Sequence, residues 1–186
     1  LPAGTRVPVR VQVSGDLFVL ALGSQTPLLL RGAGLRVRMP IYPAKGYSLT
    51  YALKGIGTAP VVSLTDDEHK LVVSRLGDRL RVAGTAEFCG YDDSINPGRI
   101  AAMKRRIGDL LPDCTQAVPA ETWAGLRPAT PGNVPMIGAS GCPNLFLDCG
   151  HGTLGWTLAC GSARLLADLI DGRAPDLDPR PYRVTG

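Results

Sequence analysis

A glycine-rich hexapeptide, GHGTLG at residues 150–155, has the spacing in this sequence that most clearly matches a chemical motif. It fits the pattern GxGxxG and lies between an apolar run and a predicted helix. Glycines let a ligand approach the backbone closely, and a helix N-terminus offers unpaired N–H groups and partial positive charge. Such a turn suits an anion, or a group that becomes anionic during a reaction. The alternative is a tight strand-to-helix turn that binds nothing.

The complete dinucleotide-binding fingerprint requires more than these glycines. It needs a second parallel strand that carries an acidic residue about 20 positions further on. Here the predicted helix is followed by GRAP at residues 172–175 and no such strand. The turn is therefore not expected to be the pyrophosphate finger of a dinucleotide site.

Arg127 is the second candidate, within WAGLRPATP at residues 123–131. Glycine and proline on both sides predict a rigid loop that holds the side chain in place. The guanidinium fork can bond both oxygens of a carboxylate, so Arg127 is a plausible carboxylate clamp. A structural arginine that bonds backbone carbonyls is an equally open alternative.

Other reactive residues support fewer kinds of chemistry. The two histidines, His69 and His151, show no zinc-ligand spacing, and no GxSxG motif is present. The five cysteines include no CxxC pair, which favours reduced thiols and a cytosolic compartment. Tyr47 and Tyr91 fall at strand ends or turns, where packing is the commoner role, and Tyr47, between Gly46 and Ser48, is the better candidate to line a pocket.

The composition restricts the class of protein. A length of 186 residues suggests about one domain, and 45% hydrophobic against 19% charged residues is typical of a globular chain. A net charge of +4 from scattered arginines gives little support to nucleic-acid binding. No apolar run reaches the roughly 20 residues of a membrane span.

The hydrophobic pattern predicts the elements that must position these residues. Alternation over 7–13 predicts a strand, and an apolar run over 17–22 predicts a buried one. Strands with one wet face are expected between residues 42 and 88, followed by a helix over 97–111. A strand near 115–123 should lead into a proline-rich loop. Two strands at 136–137 and 144–149 then precede a helix over 156–171, whose apolar face is Leu158, Leu165, Leu169 and Ile170. The fold class is therefore α+β.

Four segments together resemble a known family: PAKGYSLT (43–50), RLRVAGTAEFCGYD (79–92), WAGLRPATP (123–131) and NLFLDCGHGTLGWTLACGSARLLADLI (144–170). They look like the C-terminal half of bacterial FAD-dependent D-amino-acid dehydrogenases, within the wider D-amino-acid oxidase and glycine oxidase superfamily. The order and length of the motifs make the resemblance specific.

The resemblance implies FAD as cofactor, D-amino acids as substrates, and 2-oxo acids and ammonia as products. It implies an antiparallel substrate-binding sheet over residues 27–122, flavin-domain segments at 1–26 and 123–173, and a tail at 174–186. Arg127 would bind the substrate carboxylate, with Tyr47 and Tyr91 as weaker substrate-side candidates. The flavin-side candidates are Gly150, His151, Gly152, Thr153, Leu154, Gly155, Trp156 and Thr157.

The departures from the family pattern also carry expectations. The N-terminal dinucleotide finger is absent, so we expect a portion of a longer protein that binds FAD poorly alone and needs the missing N-terminal part as its partner. The loop reads TPGN at 130–133 rather than TPDG, and His69 stands where a tyrosine is common. A quinone or another electron-transfer acceptor, a cytoplasmic location and peripheral attachment to the inner membrane face are further expectations. A non-catalytic carboxylate-binding module and a glycine- or sarcosine-type amine oxidase remain as alternative functions.

Overall fold

The computed structural model describes residues 11–53, 59–115 and 119–184, which form two β-sheets and their helices. The strands are β1 (Phe18–Leu20), β2 (Tyr42–Ala52), β3 (Leu64–Asp66), β4 (Leu71–Leu76), β5 (Arg79–Glu87), β6 (Glu121–Ala129), β7 (Met136–Ala139) and β8 (Leu145–Cys149). The α-helices are α1 (Thr26–Gly32), α2 (Pro97–Leu110), α3 (Pro112–Thr115) and α4 (Gly155–Ile170). Short 3₁₀ turns occupy Gly23–Gln25, Pro131–Asn133 and Arg180–Tyr182.

The larger sheet is antiparallel with strand order β3-β4-β5-β2-β6. Helix α2 packs on one face of it and begins where Asn96 Oδ1 accepts the N–H groups of Gly98 and Arg99. The helix presents an apolar stripe at helical spacing to the sheet. The core between them includes Leu49, Leu71, Leu80, Val82, Ile100, Met103 and Ile107.

The smaller sheet has the order β1-β8-β7, with β1 parallel and β7 antiparallel to β8. Successive residues of β8 point to opposite faces. Leu147 and Cys149 therefore join one buried cluster with Ile41 and Met136, while Phe146 packs with the cluster formed by Ile137, Leu165 and Leu166 on the α4 side. Within the described part of the chain, no helix is long and apolar enough to cross a membrane.

Several expected elements differ from the structure. Of the strand expected over 7–13, residues 7–10 lie outside the described residues, and 11–13 form no strand. The strand expected to be buried over 17–22 is limited to β1 at a sheet edge, where Val19 is 42% exposed. Strand β3 lies in the region where strands are expected, but the pattern does not distinguish it as a separate strand, because three residues are too few to show a period. Leu158, expected on the apolar face of α4, is exposed, whereas Leu165 is buried.

The strand expected near 115–123 begins later and runs further than predicted. Residues 116–118 lie outside the described part, and β6 extends to Ala129, so the first half of the expected proline-rich loop belongs to a strand. Pro128 is compatible with that assignment because β6 is an edge strand, where a missing N–H breaks no ladder. Strand β6 also crosses the expected domain limit at residue 123, and the division into domains stays a prediction.

Candidate functional site

Arg127 lies on the edge strand β6, directly opposite Ala44 of β2, and not in a loop as the sequence predicted. Its guanidinium lies across the neighbouring strand at Gly46, on the face of the sheet opposite α2. A Cβ atom at Gly46 would collide with the guanidinium. Glycine at this position is therefore what allows the side chain to lie flat on the sheet.

The charge of Arg127 is only partly satisfied. Nη1 donates a hydrogen bond of 3.1 Å to the carbonyl oxygen of Thr85, which realises the backbone-bonding alternative. Among the residues that the structure describes, no carboxylate lies within 4.0 Å of this guanidinium. Burial lowers the pKa of Arg127, since a half-buried cation has lost part of its hydration. An anion bound here would restore that lost stabilisation.

Trp123 covers the sheet beside Arg127, and sequence reasoning did not select it. Its ring lies over Gly125, which pairs with Gly46, so a Cβ at Gly125 would collide with the ring. The guanidinium of Arg81 lies 5.9 Å from the Trp123 ring. Two glycines at facing positions thus create a shallow surface bordered by a cation and an aromatic ring. The pairing of Gly46 with Gly125 is the signal that the sequence could not reveal without the strand register.

The glycine-rich turn follows β8 and contacts the end of β6. Gly150 has φ +85° and Gly152 has φ +56°, which is backbone that side chains rarely adopt. A Cβ at Gly150 would lie 2.7 Å from Cγ2 of Thr130. The N–H of Gly152 donates a 3.0 Å hydrogen bond to the carbonyl oxygen of Pro128. The structure therefore brings both sequence motifs together, with Arg127 adjacent in sequence to the residue that joins them.

The first turn of α4 is open to solvent. The N–H groups of Gly155, Trp156 and Thr157 have no intrahelical partner, as in the first turn of any helix, and here no N-cap side chain or acidic residue is present to compensate. Thr153 and Leu154 are also exposed, and Trp156 is 97% exposed. An uncapped helix N-terminus next to a close glycine turn fits the electron-rich edge of a ring such as that of a flavin.

His151 points into the protein rather than toward that open turn. Its Nε2 lies 2.8 Å from Oγ of Ser162 on α4 and 3.4 Å from Oδ1 of Asp148 on β8. Burial raises the pKa of Asp148, and the nearby His151 opposes that rise. The imidazole therefore fastens the glycine turn to α4, and only its backbone lies within the turn.

The two tyrosines have their hydroxyl groups engaged. Tyr47 is buried on the α2 face of the sheet, because side chains alternate along β2 and Gly46 faces Arg127. Its hydroxyl donates to Glu87, and this placement argues against direct substrate contact. The hydroxyl of Tyr91 donates a 2.9 Å hydrogen bond to the carbonyl oxygen of Ser24. Tyr47 therefore lies on the face of the sheet opposite Arg127, while Tyr91 anchors the segment between β1 and α1.

The fold has clear counterparts among solved structures. Iminodiacetate oxidase from Chelativorans sp. BNC1 matches with a TM-score of 0.84 over 94% of this chain and 47% of that chain, at 24% identity. Glycine oxidase from Geobacillus kaustophilus matches with a TM-score of 0.79 over 92% of this chain and 46% of that chain, also at 24% identity. The two-sheet arrangement is therefore that of these oxidases.

Sequence comparison identifies the family. The FAD dependent oxidoreductase (DAO) family matches residues 3–169, and the chain belongs to that family. A D-amino acid dehydrogenase of Dechloromonas aromatica is 56% identical over 165 residues, which are 89% of this chain and 39% of that relative. The chain spans about two fifths of the length of the curated relatives it matches.

Proposed function

We propose that this chain is the substrate-binding sheet and the last flavin-domain segment of an FAD-dependent D-amino acid dehydrogenase. The reaction would convert a D-amino acid and water into a 2-oxo acid and ammonia, with two electrons passed to the cofactor. Family membership and the identity to D-amino acid dehydrogenases support the proposal. The observation that carries it is the half-buried Arg127, which faces no carboxylate among the described residues and adjoins the glycine-rich turn.

Arg127 would bind the substrate carboxylate through its guanidinium. Its position is restricted by the Thr85 carbonyl and by the flat surface at Gly46, so a bound carboxylate would be held in one orientation. Orientation of the carboxylate fixes the direction of the Cα–H bond, and such positioning is a large part of rate acceleration in hydride transfer. Trp123 borders the same surface on one side, with its ring over Gly125.

Residues 150–157 would hold FAD at the first turn of α4. FAD, when bound, supplies the oxidant that accepts a hydride from the substrate Cα. The free N–H groups of Gly155, Trp156 and Thr157 would stabilise negative charge at that position. The turn at Gly150 and Gly152 packs closely against Thr130, because Gly150 has no side chain that would collide with it. This packing would place the first turn of α4 beside the cofactor.

The domain division, the remainder of the FAD site, the electron acceptor and the location of the whole protein complete the proposed function. Residues 1–26 and 123–173 would belong to a flavin domain, 27–122 to a substrate domain and 174–186 to a tail. The rest of the FAD site would come from another portion of the same polypeptide. A quinone or a similar carrier would receive the electrons, and the protein would act in the cytoplasm or at the inner face of its membrane.

Replacement of Arg127 by alanine in the full-length holoenzyme tests the proposal. We expect kcat/KM for D-alanine to fall about 100-fold or more, since loss of a charged, buried hydrogen bond costs about 2–5 kcal/mol. The flavin content, measured from visible absorbance, should stay unchanged. Arg105→Ala, on the exposed side of α2, is the charge-matched control. Unchanged kinetics in Arg127→Ala would contradict the carboxylate role.

The same measurements separate the alternative functions. Faster turnover of glycine, sarcosine or iminodiacetate than of any D-amino acid would favour an amine oxidase, which the fold shared with iminodiacetate oxidase and glycine oxidase makes worth testing. Binding of a carboxylate without turnover of any amine would favour a non-catalytic module.

A further inference from the structure

An irregularity in β5 lies directly beneath Arg127. Pairing between β2 and β5 shifts register between Lys45 opposite Glu87 and Tyr47 opposite Gly84. Strand β5 therefore contains an extra residue here, which is a β-bulge. Within it Thr85 has φ +56°, a left-handed conformation that is unfavourable for a β-branched residue. Such a residue keeps this conformation only when its surroundings impose it.

The bulge has a direct connection to the candidate site. The carbonyl oxygen of Thr85 accepts the hydrogen bond from Arg127. The backbone N–H of Thr85 donates a 3.2 Å hydrogen bond to the carbonyl oxygen of Lys70. The Thr85 hydroxyl is buried without a hydrogen-bond partner in the described structure. The direction of the carbonyl, and with it the position of the guanidinium, therefore depends on the shape of the bulge.

On the opposite face of the sheet, a cluster of polar side chains contacts Glu87 at the end of the bulge. Glu87, two residues after Thr85, accepts from the hydroxyl of Tyr47 and lies 3.5 Å from Nζ of Lys45. Nδ2 of Asn96 donates a 3.3 Å hydrogen bond to the other oxygen of Glu87. The cluster thus fixes Glu87 from three directions, and two of its members flank Gly46 on β2.

Lys45 ties the same cluster to the loop after β5. The residue is only 1% exposed, and Nζ contacts Asp92 at 3.0 Å and the carbonyl oxygen of Ser94 at 2.9 Å. Burial alone would lower the pKa of Lys45, but hydrogen bonds led by that to Asp92 outweigh it and raise the pKa. The hydrogen bond from Tyr47 is the main cause of the lowered pKa of Glu87. Lys45 and Glu87 are therefore both charged near neutral pH.

Stability alone does not explain a buried ionic cluster. Desolvation of buried charges offsets much of their attraction, and apolar replacements of such groups are often neutral or stabilising. Here the cluster lies under a strained bulge whose Thr85 carbonyl accepts the hydrogen bond from Arg127. Its geometric effect is to set where that arginine lies.

We propose that Lys45, Tyr47 and Glu87 are positioning residues that impose the Thr85 bulge and thereby place Arg127 for carboxylate binding. The proposal rests on the function proposed for Arg127. None of the three contacts the carboxylate, and they act through the Thr85 carbonyl on the other side of the sheet. Tyr47 would thus act on the position of Arg127 from the opposite face of the sheet and would not contact the substrate.

Glu87→Gln in the full-length oxidised holoenzyme tests the proposal, because a purely electrostatic effect and a positioning effect would change the affinity for pyruvate in opposite directions. Removal of a negative charge near a cationic site would by simple electrostatics strengthen anion binding. If the cluster positions Arg127, loss of the charged contacts instead weakens pyruvate binding about tenfold in isothermal calorimetry. Glu68→Gln, which removes the same charge from an exposed side chain, is the control and should leave the affinity unchanged. Equal or tighter pyruvate binding by Glu87→Gln overturns the proposal.

Tyr47→Phe supplies a second variant that changes no charge and removes only the hydroxyl. We expect pyruvate to bind about threefold more weakly, with flavin content retained. If Glu87→Gln does not fold, this variant decides the question, and unchanged affinity overturns the proposal.

A double-mutant comparison separates positioning from general loosening of the fold. Tyr47→Phe should weaken pyruvate binding in the parent protein and have no further effect when combined with Arg127→Lys, because both act through one contact. Additive losses would overturn the proposal. If Arg127→Ala leaves the pyruvate affinity unchanged, the function proposed for Arg127 fails. If Arg127→Ala weakens binding but Tyr47→Phe and Glu87→Gln do not, only the positioning proposal fails.

Discussion

The five-stranded sheet and the three-stranded sheet bury their apolar residues in different ways. The larger sheet closes its core within this chain, where Leu80 and Val82 of β5 are fully buried against α2. The smaller sheet packs against α4 on one side. Both sheets expose some apolar side chains, but Trp156 on α4, at 97%, is more exposed than any large apolar side chain in the strands of the larger sheet or in α2. The larger sheet has the more extensive buried core, whereas the smaller one leaves a large aromatic side chain of its helix uncovered.

The two regions also treat polar groups differently. The larger sheet carries the ionic cluster of Lys45 and Glu87, with each charged group paired inside the chain. At the smaller sheet the first turn of α4 has no cap, and its N–H groups remain open. Internally paired polar groups therefore belong to the side proposed to bind substrate, and unpaired N–H groups belong to the side proposed to bind flavin. Each of the following changes tests this contrast.

The largest expected effect is on the core of the larger sheet. Leu80→Ala should reduce the free energy of unfolding by about 2–5 kcal/mol, because it leaves a cavity in a closed core. Urea denaturation of the full-length protein measures it. Val72→Ala, at an exposed position on the neighbouring strand β4, should cost less than about 1 kcal/mol. Equal losses would show that this core is not closed within the chain.

Trp156 tests whether the smaller sheet is part of a larger layer. Trp156→Ala should change the stability of the 186-residue chain by no more than about 0.5 kcal/mol, since the side chain is exposed there. In the full-length holoenzyme the same change should cost about 2 kcal/mol and reduce flavin content, because the ring would be covered. Identical effects in both proteins would remove the contrast between the two sheets.

Gly150 tests the contact that joins the two sheets. Gly150→Ala should destabilise by about 2–3 kcal/mol, from its positive φ and from contact with Thr130. Gly132→Ala shares a positive φ of +81° but meets nothing within 4 Å, so it should cost only about 1 kcal/mol. Thermal unfolding of the two variants isolates the close contact. No difference between them would mean that the turn can move away from Thr130.

Acid should affect the larger sheet through Asp66, with the smallest effect of the four. The hydrogen bond from Arg106 is the main reason why the pKa of Asp66 falls to about 2. A folded pKa below the ordinary value of 3.8 means that the stabilisation is present above about pH 4 and is lost as the pH falls toward 2. Asp66→Asn should flatten this part of the pH profile of the unfolding midpoint. A profile unchanged by the substitution would exclude Asp66 as a contributor.

Much of the fold follows from local pattern. Helix α2 begins at Pro97, the residue at which the predicted helix begins. Helix α4 ends at Ile170, one residue before the predicted end, and the N–H of Arg173 bonds the carbonyl of Asp168 across Gly172, as at a glycine cap. The hairpin between β4 and β5 lies within residues 42–88, where strands are predicted. These features depend on residues close in the chain, so their signals are complete within a short window.

The errors arose where distant residues decide the outcome. Pro128 marked a loop locally, but β6 lies at a sheet edge, and only the strand order shows that proline is tolerated there. The apolar run before Gly23 predicted a buried strand, yet β1 has no second neighbour among the described residues. A role for Tyr47 at the substrate stays a prediction, and alternation along β2 places its side chain on the sheet face opposite Arg127.

The sequence by itself determined which residues are chemically equipped for the site: an arginine among rigid neighbours, and a glycine turn before a helix. Residue type and short spacing carry that information, because caps, turns and periodicity are local. Only the tertiary structure decided how these groups are arranged. The pairing of Gly46 with Gly125 lets Arg127 lie flat on the sheet, and the bulge at Thr85 holds it there. Those contacts join strands far apart in the chain, and their register is set by the packing of the whole sheet.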